Sequence, residues 1–573
     1  MHPVPGVGCP ALGSGGVRGY VVRSPSPRVS IVASEAPLPL GEYVELHYRV
    51  RGGGSGERVA LAVVSNATFE PAVPQSVVSY LGPRAGGVES LKLSYTTLYV
   101  VAELVDGRAE PPRYPIPPDT PVLAVARETL ASVYGGLSGG VRLGLLAPRS
   151  LGVEVRVNPD KLAKHLLVAG ATGSGKSNTV AILADRLSAM GAPVVVFDVH
   201  GEYNMEPEGG DTGRVRVVEA RINPLRMHPR ILSAIVIPEP QARRQRRLLA
   251  WIMKAVLNEV RRRASREGVS EATALHRLLS DWRKGRSPEG EPRLLTLKPS
   301  LAAKEKVEER REEKRKAEAE EAKEAGDAQL TRDLGELLVA EAEEHARRAD
   351  DSQDRKVAER VAEKLEEFFE VTPLTVEGEL PTALVEPGRI LVVDASSLSD
   401  EQKRWVLKIV VDDILARLKA GRLKPTVLVV EEAPLFIGAD VVHPVKESLQ
   451  RFAREGRKFG GCLVAVSQRP RSLDVNVVSQ LQNFVFLRMV QQEDIRTVMD
   501  IADSLDESLA SAIPSLPDGR AIVMGEWLGR FPAVVDIDLH RGKRVGATPP
   551  LTEIWAGSRA REEGERPQFS LEL

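Results

Sequence analysis

The chain has 573 residues with 78 Lys plus Arg against 79 Asp plus Glu, a net charge of −1. No overall field draws it to nucleic acid, so any such contact must come from local basic patches. Its length fits about two to four domains; two far-separated cysteines, Cys9 and Cys462, exclude a disulfide framework and a zinc module and fit a reducing cytoplasm.

Residues 1–16 are Gly- and Pro-rich without a period and read as a flexible arm. No basic leader with an apolar core follows, and no run nears about 18 apolar residues, so neither a secretion signal nor a membrane span is expected. From residue 17 to 115, short β-rich runs such as Tyr43–Tyr48 and Val59–Val64 alternate with Gly/Pro punctuation, the pattern of a small β-barrel. Four prolines between Tyr114 and Pro121 mark a boundary, and Val122–Tyr134 reads as a short helix. Val141–Gly144 and Val153–Val157 read as strands.

Residues 116–240 form the first part of an α/β core. His165–Ala169 is a short apolar run, Gly170-Ala171-Thr172-Gly173-Ser174-Gly175-Lys176-Ser177 follows, and Asn178 opens a helical pattern. This is G-x-x-x-x-G-K-[ST], whose backbone N–H groups close around phosphates, whose Lys reaches the β- and γ-phosphates, and whose Ser hydroxyl sits on Mg²⁺. Strand, loop, helix also aims a helix N-terminus at the anion. Gly170 to Asn178 is therefore the expected nucleotide-binding segment. Val194–Asp198 reads as a buried parallel strand that ends in Asp198-Val199-His200-Gly201-Glu202-Tyr203, where open α/β sheets bind ligands.

Residues 241–370 lack strand candidates, and Leu248, Trp251, Ile252, Ala255, Val256 and Val260 are read as one helical face, so a helical insertion is expected there. Its stretch Lys304–Lys323 mixes both charge signs, as a solvated helix would. The α/β pattern resumes over 371–540, with strands at Arg389–Asp394, Val427–Val430, Gly461–Val466, Phe484–Leu487 and Ala521–Met524. Repeated βα order predicts a mainly parallel sheet covered on both faces. Residues 541–573 read as a polar tail or clasp.

Hydrolysis needs more than a phosphate cradle. Glu431 and Glu432 follow four apolar residues of a buried strand, so the first can enter a metal shell with Ser177 and the second can orient or deprotonate water. Gln468, at the end of the next strand, can sense the γ-phosphate. Arg451, Arg454, Arg457 and Lys458 form a basic cluster on the intervening helix, and an arginine from a neighbouring subunit would stabilise transition-state charge.

In this order, GATGSGKS, VVVFDVHGEY, VLVVEEAP, REGRKFGG and VSQRP resemble the archaeal HerA bipolar DNA translocases of the FtsK–HerA superfamily. The β-rich segment around Leu40–Val44 is similar to that family's HAS barrel. The resemblance implies a RecA-like P-loop ATPase core with a small N-terminal barrel and a helical insertion. It further implies a homo-hexameric ring using ATP and Mg²⁺ to pull double-stranded DNA, with a NurA-type nuclease, in double-strand-break end resection. On matching positions it assigns Lys176 and Ser177 to the phosphate loop, Glu432 as base, Glu431 to the metal shell, Gln468 as sensor and Arg457 as the finger acting in trans. Lys164 stands where the family reading expects an arginine, and lysine lacks the bidentate fork. Conjugation- or secretion-type pumps, protein-unfolding rings and a nucleotide-gated nuclease scaffold share the same parts. Arg469 and Arg471 are the DNA-contact candidates.

Overall fold

The computed structural model describes residues 16–542 apart from 35, 51–57, 72–91, 136–138, 204, 209, 240, 284–323, 377–379, 503–504 and 530. The N-terminal arm, the charged stretch 304–323 and the tail beyond 542 lie outside the described residues.

The first sheet contains β1 (Gly19–Ser26), β2 (Val29–Ser34), β3 (Tyr43–Tyr48), β4 (Arg58–Pro71), β5 (Lys92–Val105), β6 (Arg108–Glu110) and β7 (Pro121–Ala124). Its order is β2-β1-β7-β3-β4-β5-β6, and an added β2–β5 pairing closes six of these strands into a barrel. Closure removes the free edges that a six-stranded open sheet would present. Here one sequence expectation is corrected: Pro121–Ala124 is a strand between β1 and β3, and α1 covers only Arg127–Tyr134. Pro121 lacks an N–H, but β7 still pairs because Gly19 and Tyr20 face Val122 and Pro121 at the strand's very start.

The second sheet has eleven strands: β8 (Val141–Leu146), β9 (Glu154–Val157), β10 (Leu166–Ala169), β11 (Val194–Asp198), β12 (Val215–Glu219), β13 (Ile390–Asp394), β14 (Thr426–Val430), β15 (Gly461–Ser467), β16 (Asn483–Phe486), β17 (Arg520–Gly525) and β18 (Ala533–Ile537). Their order is β12-β13-β11-β14-β15-β10-β16-β17-β18-β8-β9. Pairing is parallel from β12 to β16 and antiparallel from β16 to β9. The inner parallel strands are mostly apolar because both of their faces are covered, as in the fully buried β10, β11 and β14.

Following β10, α2 (Lys176–Ala189) packs on the sheet; α3 (Pro229–Val236) follows the edge strand β12. Between β12 and β13 lie four longer helices: α4 (Arg243–Glu267), α5 (Glu271–Arg283), α6 (Glu324–Arg348) and α7 (Ser352–Val371). They meet through Leu249, Val256, Leu275, Leu338, Val361 and Leu365, all fully buried. A capping box at Ser399 and Gln402 starts α8 (Asp400–Lys419), and after Ala420 the chain turns at Gly421, φ 65°. Next come α9 (Pro434–Ile437) and α10 (Pro444–Glu455). Among the described residues no helix is long and apolar enough to cross a membrane.

Barrel and large sheet share a core that contains Tyr43, Leu61 and Tyr99 from one and Leu143 and Val535 from the other. At this contact Val534 N–H donates to Tyr43 Oη at 2.9 Å, and Tyr134 Oη–H donates to Pro532 O at 2.7 Å. Burial pushes the Tyr43 phenol up to about 12, so it stays neutral. Tyr43→Phe leaves the Val534 N–H without its partner, and should lower stability by about 1–3 kcal/mol, read as a lower urea midpoint. An unchanged midpoint would show that this bond does not fasten the barrel.

Candidate active site

β10 ends at Ala169 and the loop Gly170–Gly175 turns directly into α2 at Lys176. Gly175 sits at φ 110°, and a Cβ on Gly170 would meet Ser174 Oγ at 2.6 Å and Leu487 Cβ at 2.8 Å, so both positions require glycine. The loop is tied on both sides. Gly170 N–H donates to Ser467 O at 3.2 Å, Ala171 N–H to Arg488 O at 2.8 Å, and Gly519 N–H to Ser174 O at 2.9 Å. No side chain caps the start of α2, which leaves its N–H groups and partial positive charge facing the loop.

Lys176 is buried, and its ammonium donates to Ala171 O at 3.0 Å across the loop. Burial lowers its pKa, while Glu431, Glu432 and Glu202 oppose that shift. Parallel pairing of β11, β14, β15 and β10 places the ends of all four strands on one edge, and this is why acids so far apart in sequence gather around one lysine.

Glu431, just past β14, is 6% exposed and accepts a hydrogen bond from Tyr203 Oη–H. Burial raises its carboxyl to about 7; the Tyr203 bond pulls down, and repulsion from Glu202, Asp198 and Glu432 pushes up again. Glu432 sits in the left-handed region at φ 43°, a conformation that costs a non-glycine residue about 1–2 kcal/mol. That turn aims its carboxylate at Gln468, whose Nε2–H donates to Glu432 Oε1. Thr172 Oγ1–H donates to Gln468 Oε1 at 2.8 Å. A continuous polar chain therefore runs from the phosphate loop through the amide to the second acid.

Lys176, Ser177, Thr172, Glu431, Glu432 and Gln468 are thus brought together. Asn178 is not part of that cluster: its Nδ2–H donates to Asp538 O at 2.7 Å and its Oδ1 accepts His540 N–H at 3.0 Å, holding the chain after β18. Asp198 is committed to its own turn, accepting N–H groups of His200, Gly201 and Tyr203 at 3.0, 2.9 and 2.9 Å. Sequence reasoning assigned no role to two residues that do reach the cluster. Glu202 accepts from Ser177 Oγ–H at 2.7 Å, and Tyr203 holds Glu431. Both lie in the Asp198–Tyr203 strand-end run, but only the sheet order shows which of its polar groups reaches Ser177.

Arg457 and Lys458 are not on α10, which ends at Glu455; Gly456 and Gly460 bracket a tight 3₁₀ turn that carries both. This turn precedes β15, so Arg457 lies at the edge of the sheet opposite the phosphate loop. The seven residues of β15 separate the two by roughly 20 Å. Lys164 lies at the same far edge, before β10, and is paired with Glu526. His165 stitches this edge together: its Nδ1 accepts Leu463 N–H at 3.0 Å and its Nε2–H donates to Ala453 O at 2.7 Å, and burial lowers its pKa, so it is neutral. Arg451 pairs with Asp412 at 2.6 Å, whereas Arg454 is exposed. Arg471 faces Glu493 and Asp494 at 3.8 and 4.0 Å, whereas Arg469 is exposed beside Gln468.

Residues 141–414 match the family model described as the central domain of helicase HerA. Over that stretch the chain is similar to the HerA helicases. It is 29% identical to the DNA double-strand break repair helicase HerA of Sulfolobus acidocaldarius over 95% of this chain and 97% of that protein. The corresponding helicase of Saccharolobus solfataricus is 29% identical, with 94% of this chain and 95% of that one covered. For that of Pyrococcus furiosus the identity is 25%, with 77% of each covered.

The raised Glu431 carboxyl has a stability consequence. An acid whose pKa is higher folded than unfolded binds more protons in the native state between the two values, so stability falls as pH rises from about 4.5 to about 7. Glu431→Gln removes that loss. Without nucleotide or metal, the variant should match the parent below about pH 4.5 and exceed it by up to about 3 kcal/mol at pH 8. A pH-independent difference in denaturant midpoints would contradict the assignment.

Proposed function

We propose that this chain is an ATP-driven DNA motor that acts as a six-membered ring on duplex DNA, with a NurA-type nuclease, in the end processing of double-strand breaks in the cytoplasm. The chain is an ATP-hydrolysing enzyme of the helicase and translocase class. The observation that carries the motor reading is the division of the site between two edges of one sheet. Loop, acids and sensor occupy one edge, while Arg457 occupies the other, beyond reach of its own loop.

In this reading the backbone N–H groups of Gly170–Lys176 hold the phosphates and Lys176 neutralises them. Glu432 accepts the proton of the attacking water, and Gln468, which it holds through a hydrogen bond, reports the γ-phosphate to Thr172 and the loop. Arg457 of each subunit serves the site of the next.

The donor set fits Mg²⁺. Ser177 Oγ and Glu431, with Glu202 bonded to that hydroxyl, offer hard oxygen ligands, and crowded carboxylates are relieved by a cation. Among the described residues no cluster of three or more His, Cys, Asp or Glu is arranged to hold a metal alone, which suits an ion that completes its shell with phosphate and water. Ser177 and Glu431 would hold it, and the ion would neutralise charge on the β- and γ-oxygens.

Lys176→Ala and Arg457→Ala should each lower ATP hydrolysis about 10³-fold or more. Mixing the two inactive variants should restore part of the activity, because some interfaces then join an intact loop to an intact arginine. Steady-state hydrolysis across mixing ratios checks this, and a mixture no more active than either variant alone would count against a shared site. Duplex binding should be weakly sequence-dependent and strongly salt-dependent, since a translocase grips phosphates.

A further inference from the structure

A groove of about 870 Å³ lies between α3 and α4, remote in sequence from the nucleotide loop. Among the residues lining it are Arg230, Arg246, Arg247, Lys254 and Arg261, and no carboxylate lines it. In a chain whose net charge is −1, this is a strong local excess of positive charge.

On α4, Arg247, Trp251, Lys254, Asn258 and Arg261 recur at intervals of four, three, four and three, which places them along one face over about 21 Å. The opposite face, with Leu249, Ile252, Val256 and Val260, is fully buried, so the stripe cannot turn inward. Arg246 fixes the walls: its guanidinium donates to Ile237 O at 2.7 Å and to Pro238 O at 2.5 Å, tying the start of α4 to the end of α3. Arg230, Arg247 and Lys254 are exposed, and none of them has an acidic partner among the described residues. Arg261 approaches Glu271 at 3.6 Å, a carboxylate that Arg226 also approaches at 3.5 Å.

Trp251 is 44% exposed in the middle of this stripe. His345 meets it edge-on at 4.9 Å between ring centroids, which braces the indole without covering it. An exposed indole costs apolar hydration unless something stacks on it, and here it stands between cations spaced along a groove.

We propose that this groove binds a single strand of nucleic acid, with Arg230, Arg247 and Lys254 on its phosphates and Trp251 stacked against a base. A basic track interleaved with an aromatic ring is the arrangement that holds single strands without sequence preference. The length of the stripe suits the smallest such sites, about four nucleotides. Duplex DNA would use the cations but not the ring, because its bases are already stacked. An acidic peptide would likewise gain nothing from the ring.

The test uses the full chain and a fluorescently labelled oligothymidylate, followed by anisotropy over a range of salt concentrations. Trp251→Ala should weaken binding by about fivefold to tenfold. Arg247→Gln combined with Lys254→Gln should weaken it further and reduce the slope of log affinity against log salt by about 1.4, which is two phosphate contacts at about 0.7 each. Hydrolysis of ATP without nucleic acid should be unchanged in both variants. Lys176→Ala should bind the oligonucleotide as the parent does, so failure of the motor reading and failure of this one are distinguishable. Unchanged oligothymidylate affinity in both variants would overturn the inference. So would an equal loss of duplex affinity in Trp251→Ala, or polyglutamate competing as well as the oligonucleotide.

Discussion

Everything at the nucleotide site depends on the parallel register of one short strand. β10 is only four residues long, yet Leu166–Ala169 pairs residue by residue with Val464–Ser467 on one side and Asn483–Phe486 on the other. Being held on both edges, it delivers Gly170 to one place. Parallel pairing then forces every neighbouring strand to end at that same place. A one-residue slip of β14 or β15 would turn Glu432 or Gln468 to the other face of the sheet.

That constraint concentrates negative charge, and the site manages it with few cations. Glu431, Glu432, Glu202 and Asp198 lie close enough to affect one another, with Lys176 as the buried counter-charge. Asp198 is stabilised by three backbone N–H groups, Glu202 by Ser177, Glu432 by Gln468 and Glu431 by Tyr203. Each carboxylate therefore has its own hydrogen-bond donor. The left-handed backbone at Glu432 is the local strain accepted to separate two consecutive acids, one turned inward to Tyr203 and the other toward Gln468.

Much of this architecture was legible in the sequence where physics leaves a local mark. Buried parallel strands read as unbroken apolar runs, so Val194–Asp198, Val427–Val430 and Gly461–Val466 stood out, and the P-loop ATPase fold followed from their order around Gly170–Ser177. Elements whose state is decided by distant partners were harder to see. Pro121–Ala124 looks like the lead-in to a helix until β1 and β3 pair with it. β12 and β18 were overlooked: β12 carries Arg216 and Glu219 on a sheet edge, and β18 sits in the antiparallel half, away from the repeated βα pattern. Side-chain commitments left no local trace at all. Asn178 adjoins the phosphate-loop motif but faces Asp538 and His540, while Glu202, one of several polar residues in a strand-end run, is the one that meets Ser177.

In the proposed motor Arg457 ties fold to function, because the turn between Gly456 and Gly460 places it on the edge of the sheet away from its own phosphate loop. A structure of the assembled chain with a non-hydrolysable ATP analogue and Mg²⁺ tests this most directly. The account predicts the guanidinium of Arg457 from a neighbouring subunit within hydrogen-bond distance of the γ-phosphate, about 2.7–3.2 Å, and Gln468 turned from Glu432 toward the same phosphate. An analogue bound with Arg457 of every subunit in solvent, or with the site closed entirely by residues of its own chain, would contradict it.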